Sequence, residues 1–339
     1  MAQSLLDIMR GAMLPLDGSI AEHVPAILAA YARIVPPADW PQITAVDLTA
    51  GSCLLPLLLA GRGVRRLVVN DLAARSALAA KALFGRRPLE PRRIRALVTA
   101  RSPRLKPHTP SFHFASDHLT HDVADTFDRL FQARLPAADA PVYRYLALRW
   151  VLGFAPSAEE EFVLLPTHDH GQLREDLDHD WAPYLRRGRR KLSVLLSLAR
   201  AINAAIARVA DGRAELHQAD MRALCPALDW RGRMFVMANP PTRGLDEYVT
   251  DDQLVHSLLA NRWLPLSRSR ETAEDLWTDC VESALRRLPR GSHALVWGGD
   301  GAMTWHQCWR VWTRHAVLRA SGRTTSHGRA QGWAIVEKR

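Results

Sequence analysis

The chain has 339 residues, 47% of them hydrophobic and 24% charged, enough to bury one large core and still carry a smaller second domain. Lys plus Arg total 45 against 35 for Asp plus Glu, a net charge of +10 that suits a polyanionic partner. No run approaches the roughly 20 uninterrupted apolar residues of a membrane helix, and Met1 to Leu16 lacks the basic start and small-residue cleavage site of a secretory signal, so a cytoplasmic protein with no membrane partner is expected. The four cysteines, Cys53, Cys225, Cys280 and Cys308, form no Cys-x-x-Cys pair; buried thiols are expected rather than a zinc ribbon or a disulfide framework.

In chain order, Ser19 to Val35 places Ile20, Val24, Ile27, Leu28, Tyr31 and Ile34 at helical spacings and stops at Pro36-Pro37. Ile43 to Leu48 is a short β-branched run reaching Asp47, followed by the turn Thr49-Ala50-Gly51-Ser52 and an apolar helix. Leu67 to Asp71 is a second strand that also ends in an acid and leads into the alanine-rich helix Leu72 to Phe84. From Gly85 to about Pro110 the composition turns to Arg and Pro and leaves the sheet. Aromatic and histidine-rich segments follow at Tyr143 to Phe154 and His168 to Tyr184, with a basic run at 186–191. Alternation resumes with a helix over Leu192 to Val209, a strand Ala214 to His217 running to Asp220, and a strand Met234 to Ala238 before Asn239-Pro240-Pro241-Thr242. A helix over Glu271 to Arg287, a strand His293 to Trp297 and a closing pair near Ala316 to Leu318 and Trp333 to Glu337 bring the total to about seven strands. The pattern predicts an α/β fold, a doubly wound, mostly parallel seven-stranded Rossmann-like sheet with an inserted smaller domain. The expected catalytic domain is 1–85 and 205–339, and the expected insert is 86–204.

Polar residues stand where successive strands end, which is where doubly wound sheets bind ligands. Asp47, Thr49 and Gly51 close the first strand, and Asp71, about 20 residues on, is placed like an acid that accepts ribose hydroxyls. Helix capping by Asp47 and Asp71, with Gly51 a plain turn glycine, fits the same spacing. Asn239-Pro240-Pro241 adds a strand opening into a rigid loop. Its amide oxygen and a neighbouring carbonyl could accept hydrogen bonds from an exocyclic amino group and aim the lone pair at a methyl donor.

These motifs, Asp47-Leu-Thr-Ala-Gly-Ser, Asn70-Asp71, Asp220 and Asn239-Pro-Pro, resemble those of amino-group methyltransferases. Their order, cofactor motifs first and the Pro-Pro loop last, is similar to the class typified by bacterial DNA adenine methylases, and His293 to Asp300 and Arg323 to Val336 resemble that family's late strand and terminal hairpin. The resemblance implies S-adenosylmethionine as cofactor, with Asp47, Thr49 and Gly51 on its methionine side, Asp71 on the ribose and Asp220 beside the adenine. It implies that Asn239 and the Pro240 carbonyl hold the target amino group for in-line transfer, with Pro241 and Thr242 completing the loop. Thr242 stands where the family has a base-stacking aromatic, and Thr49 and Cys53 where it has an aromatic and a second glycine. Tyr248 or Trp263 could supply the ring.

The arginines Arg86, Arg87, Arg92 and Arg93, and Arg186, Arg187, Arg189, Arg190 and Lys191, are candidate phosphate contacts, with Tyr143-Arg144-Tyr145 interleaving aromatics. The cluster His168 to Asp180 lacks regular ligand spacing, and no metal is expected. Trp305, Trp309 and Trp312 repeat at helical spacing and read as core. The leading reading is an S-adenosylmethionine-dependent adenine methyltransferase acting on double-stranded DNA. The alternatives are an RNA or cytosine amino-methyltransferase, or a catalytically silent nucleic-acid-binding subunit with a protein partner.

Overall fold

A computed structural model describes residues 4–14, 18–99, 121–153, 167–168, 172–173, 187, 189–209, 212–239, 255–256, 258–260, 272–298, 305–326 and 329–339. Seven strands form one sheet: β1 Thr44–Asp47, β2 Arg66–Asn70, β3 Arg213–His217, β4 Met234–Ala238, β5 His293–Gly298, β6 Ala316–Ser326 and β7 Arg329–Lys338. Their order is β3-β2-β1-β4-β5-β7-β6. The first five are mutually parallel, and the β6–β7 hairpin joins them through β7, the one strand that runs antiparallel to the rest. The order reverses between β1 and β4, which makes their carboxyl ends the switch point where ligands enter folds of this kind. The doubly wound α/β reading of the sequence is therefore correct, and most strand ends agree within a residue.

Side chains alternate across the central strands as a period of two requires. Val46, Val236 and Val296 pack on one face with Trp277, Val281 and Trp312, from helices Ala273–Arg287 and Trp305–Thr313. On the other face the Tyr31 ring, from helix Gly18–Ile34, stacks on Phe235 at 3.9 Å. Trp312 is thus core, while its neighbour Trp309 is partly exposed and meets it edge-on. All four cysteines are buried thiols, none of them in a disulfide.

The hairpin is longer than its apolar residues suggested. Ala316–Ser326 includes the polar run Gly322-Arg-Thr-Thr-Ser, which pairs residue by residue with β7. Gly322 faces Trp333 in register, and a Cβ built there would sit 2.6 Å from the indole. A strand glycine here marks close approach of a ring. Gly322→Val is expected to destabilise by about 1–3 kcal/mol through overpacking, read as a lower urea midpoint; an unchanged midpoint would mean that the indole swings clear.

The chain divides into two compact units, and the division falls inside helix Ala74–Phe84. One comprises 17–77, 211–250 and 266–339 and holds the sheet. The other comprises 1–16, 78–210 and 251–265, where the sequence pattern placed the insert at 86–204. This second unit is helical, built from Leu5–Ala12, Pro91–Thr99, His121–Phe131, Ala140–Leu152 and Lys191–Val209. The last helix is long and apolar enough to cross a membrane by length and composition, although Lys191, Arg200, Asn203 and Arg208 interrupt its apolar run. Here its stripe Leu195, Ala199, Ile202, Ile206 and Val209 is buried, and it packs on Leu5–Ala12, Pro91–Thr99 and Ala140–Leu152. A short strand pair, Thr167–His168 with Gln172–Leu173, also lies in this unit.

Candidate functional site at the sheet switch point

Asp47 ends β1 in register with Val69 of β2 and Met237 of β4. Beyond it the chain turns through Thr49 to Cys53 before helix Leu54–Gly61. Four hydrogen bonds fix this turn. Thr49 N–H donates to Asp47 Oδ1 (3.1 Å), Ala50 N–H to the Asn70 carbonyl (2.8 Å), Gly51 N–H to Asp71 Oδ2 (2.7 Å) and Cys53 N–H to the Ala50 carbonyl (2.6 Å). Gly51 has φ +49° and nothing among the described residues within 4 Å of an added Cβ, so the turn bends back at a glycine.

Cys53 has φ +64°, in the left-handed region that costs a residue with a Cβ roughly 1–2 kcal/mol. The position that departs from glycine in the sequence has nevertheless kept a glycine's backbone conformation. Its thiol is fully buried, and burial first, then the charges of Asp47 and Asp71, push its pKa up.

Asp47 is buried, and burial pushes its carboxyl up to about 7; the Thr49 N–H opposes that shift and the Asp71 charge adds to it. Among the described residues no cation pairs with it. A buried carboxylate without a cation is costly, and a positively charged group from a ligand would relieve that cost. Asp71 accepts from Gly51 N–H through Oδ2 and from Ala73 N–H through Oδ1 (2.8 Å). Asp71 thus braces the turn as well as facing the strand ends.

Sequence reasoning assigned no role to Asn70. Its buried amide donates to the Leu48 and Ala219 carbonyls (2.9 and 3.0 Å) and accepts from Ala219 N–H (3.1 Å), tying together the segments that follow β1, β2 and β3. An Asn at a strand end with apolar residues before it was the available signal. Asn70→Leu would leave one N–H and two carbonyls unpaired and is expected to cost about 2–4 kcal/mol in urea unfolding; a loss below about 1 kcal/mol would mean that water replaces the amide.

Asp220 follows β3 and caps the short helix Met221–Leu224. Both its oxygens accept from the Arg222 guanidinium (2.6–3.1 Å), and Oδ1 also accepts from Arg222 N–H (2.8 Å), which hold its carboxyl below the usual range. In this arrangement the acid is committed to its own turn. Asn239 follows β4, and its N–H donates to Thr49 Oγ1 (2.7 Å), joining the β1 and β4 ends across the switch point. Pro240, Pro241, Thr242, Tyr248, Trp263 and Arg186 lie outside the described residues, as does the His168 to Asp180 cluster apart from the short strand pair.

The basic positions of the helical unit differ among themselves. Arg87, Arg92, Arg189 and Arg190 are exposed, and Lys191 is half-buried. Arg86 is exposed with φ +59°. Arg93 pairs with Asp139 at 3.2 Å. Arg187 lies over the Trp150 ring at 5.3 Å, donates to the Trp150 carbonyl (3.4 Å), and is pushed down to about 10 by burial and then by Arg149. Tyr143 and Tyr145 are buried, the first accepting from Glu90 N–H and the second donating to the Ala12 carbonyl. These two rings pack the helical core and do not form the stacking surface that the sequence suggested.

No protein-family model and no curated protein matches the chain. Among solved structures it is similar to TrmN from Thermus thermophilus, at 13% identity and TM-score 0.34 over 91% of this chain and 48% of that one, so that it spans about half of TrmN's length. It is also similar to the rRNA methyltransferase aviRa from Streptomyces viridochromogenes, at 12% identity and TM-score 0.38 over 93% of this chain and 84% of that one.

Proposed function

We propose that the chain is an S-adenosylmethionine-dependent methyltransferase that acts on the exocyclic amino group of adenine in DNA. The observation that carries this reading is the junction of β1 and β4. The buried Asp47, with no cation against it among the described residues, and the Gly51 turn lie on one side, and Asn239, bonded to Thr49, leads into Pro240-Pro241 on the other. Asp47 would hold the methionine ammonium, the Gly51 turn would leave room for the ligand backbone, and Asp71 would accept the ribose hydroxyls. The cofactor supplies an electrophilic methyl group on a sulfonium. Asn239 would accept from the target amino group and hold its lone pair on the line of attack; as the N–C bond forms and the C–S bond breaks, the surplus proton leaves to water. The strong positive charge, with exposed Arg87, Arg92, Arg189 and Arg190, suits a phosphate backbone.

The test is transfer of labelled methyl to unmethylated DNA and to total RNA, followed by nucleoside mass spectrometry. N-methylated adenine in DNA, lost in Asn239→Ala, is the expected result. Label in RNA or on cytosine would replace the substrate. Cofactor binding without transfer to either polymer would replace the enzyme by a silent nucleic-acid-binding subunit.

A further inference from the structure

The opposite end of the sheet carries a second cluster of polar groups. A depression of about 560 Å³ opens beside the start of β5, lined by Arg233, Arg290, Arg319, His293 and Glu337 with Ile34 at its edge. Arg319 donates through Nε to Glu337 (2.5 Å), and Arg233 pairs weakly with Asp39 (3.4 Å). Arg290 pairs with no acid among the described residues. Three guanidiniums against two carboxylates leave a net positive charge, and Arg290 makes no side-chain hydrogen bond among the described residues. His293 is 4% exposed, yet neither ring nitrogen has a hydrogen-bond partner among the described residues, although Nε2 lies 3.7 Å from Glu337. A buried unsatisfied imidazole costs stability on its own account, and a ligand oxygen would satisfy it. The positive edge continues away from the depression. Arg213 and Arg66 are paired in register at the first residues of β3 and β2, both exposed and without an acid partner among the described residues.

We propose that this amino end of the sheet is an oxyanion site that takes a phosphate group, with Arg290 and Arg319 as guanidinium donors and His293 as an imidazole donor. Planar guanidinium forks match phosphate oxygens, and Arg66 and Arg213, register neighbours on adjacent strands roughly 5 Å apart at the same end of the sheet, form a second positive pair across Thr44 of β1 from the depression. The phosphate is that of a nucleic-acid strand held on the face away from the transfer end. That source rests on the function proposed above, whereas the oxyanion site rests on the geometry alone.

The test measures binding of a fluorescein-labelled DNA duplex across a salt series, together with calorimetric titration of inorganic phosphate. Arg290→Ala is expected to weaken duplex binding about tenfold at fixed salt and to reduce the log–log salt slope by about 1, whereas Arg208→Ala, an exposed charge at the end of Lys191–Val209, changes neither. His293→Phe is expected to weaken the duplex too, with a Tm no lower than wild type, because it removes two unsatisfied nitrogens; that separates a ligand role from a folding role. Saturable binding of inorganic phosphate, lost in Arg290→Ala while duplex affinity stays, would keep the site and assign it to a small phosphorylated ligand. Unchanged affinity for both ligands in Arg290→Ala, or no binding of either by the wild type, overturns the site. S-adenosylmethionine affinity, measured in parallel, should be the same in Arg290→Ala, so a failure of the transfer reading would appear there and leave the duplex slope untouched.

Discussion

Asp47→Asn is expected to make the ligand-free protein more stable at pH 8 and to remove its cofactor binding. The folded carboxyl sits at about 7, against 3.8 for the ordinary group, because burial disfavours its charge. Between those values the folded state holds a proton that the unfolded chain has released, so this group's contribution to stability falls as pH rises from about 4 to 7 and stays low above. At about 1.4 kcal/mol per pH unit, the gap corresponds to about 4 kcal/mol by pH 8. Asparagine can still accept from Thr49 N–H and carries no charge, so the variant should gain about 2–4 kcal/mol at pH 8 and little at pH 4 in urea unfolding. Equal effects at the two pH values would refute the assignment. The same variant should lose about 2–5 kcal/mol of S-adenosylmethionine binding, or roughly 30- to 5000-fold, because the ammonium would face a neutral amide. Wild-type affinity should fall about tenfold per pH unit below 7, where Asp47 must first lose its proton. A residue that costs the fold stability and supplies the ligand's counter-charge is the expected pattern at a binding site.

The second large effect is on turnover. Asn239→Ala should lower kcat by about 10²–10³-fold, the size of loss when one positioned hydrogen-bonding group is removed from a reacting centre. Cofactor affinity should stay within about twofold, because the bond to Thr49 uses the Asn239 main chain and survives the substitution. Asn239→Asp keeps an acceptor at the same place and should retain part of the activity. Loss of cofactor binding in the alanine variant would make Asn239 a structural link; equal inactivity of Asp and Ala would show that the side-chain acceptor is not what matters.

Much of this organisation is legible in the sequence because parallel core strands announce themselves. Met234 to Ala238 is five apolar residues bounded by polar ones, and all five are buried. The hairpin read short because Arg323 to Ser326 is polar, and its ladder with Arg329–Lys338 makes it a strand. The helical unit was harder. Arg-rich Pro91–Thr99 buries only Ile94 and Val98, and the tyrosines of Ala140–Leu152 turn inward, which no local pattern distinguishes from an aromatic surface. At the site, Asp47, Asp71, Asp220 and Asn239 stand at or just after the carboxyl ends of β1 to β4, where short apolar runs reaching a polar residue locate those strands. The Asp220–Arg222 pair, the left-handed backbone of Cys53 and the clamp formed by Asn70 depend on turn geometry and on partners as far as 149 residues away.

The bond from Asn239 N–H to Thr49 Oγ1 spans 190 residues, and the β1–β4 ladder beneath it joins chain almost as distant. Closing so long a loop is entropically expensive and slow, whereas the hydrogen bonds within each helix of the other unit close over four residues. During synthesis, therefore, β1 and β2 emerge long before the strand that completes the centre of the sheet. Until Met234 to Asn239 has left the ribosome, β1 has an open edge facing solvent and the switch point does not exist. A nascent chain stalled before Met234 should expose that edge to chaperones, and a cofactor would have nothing to bind.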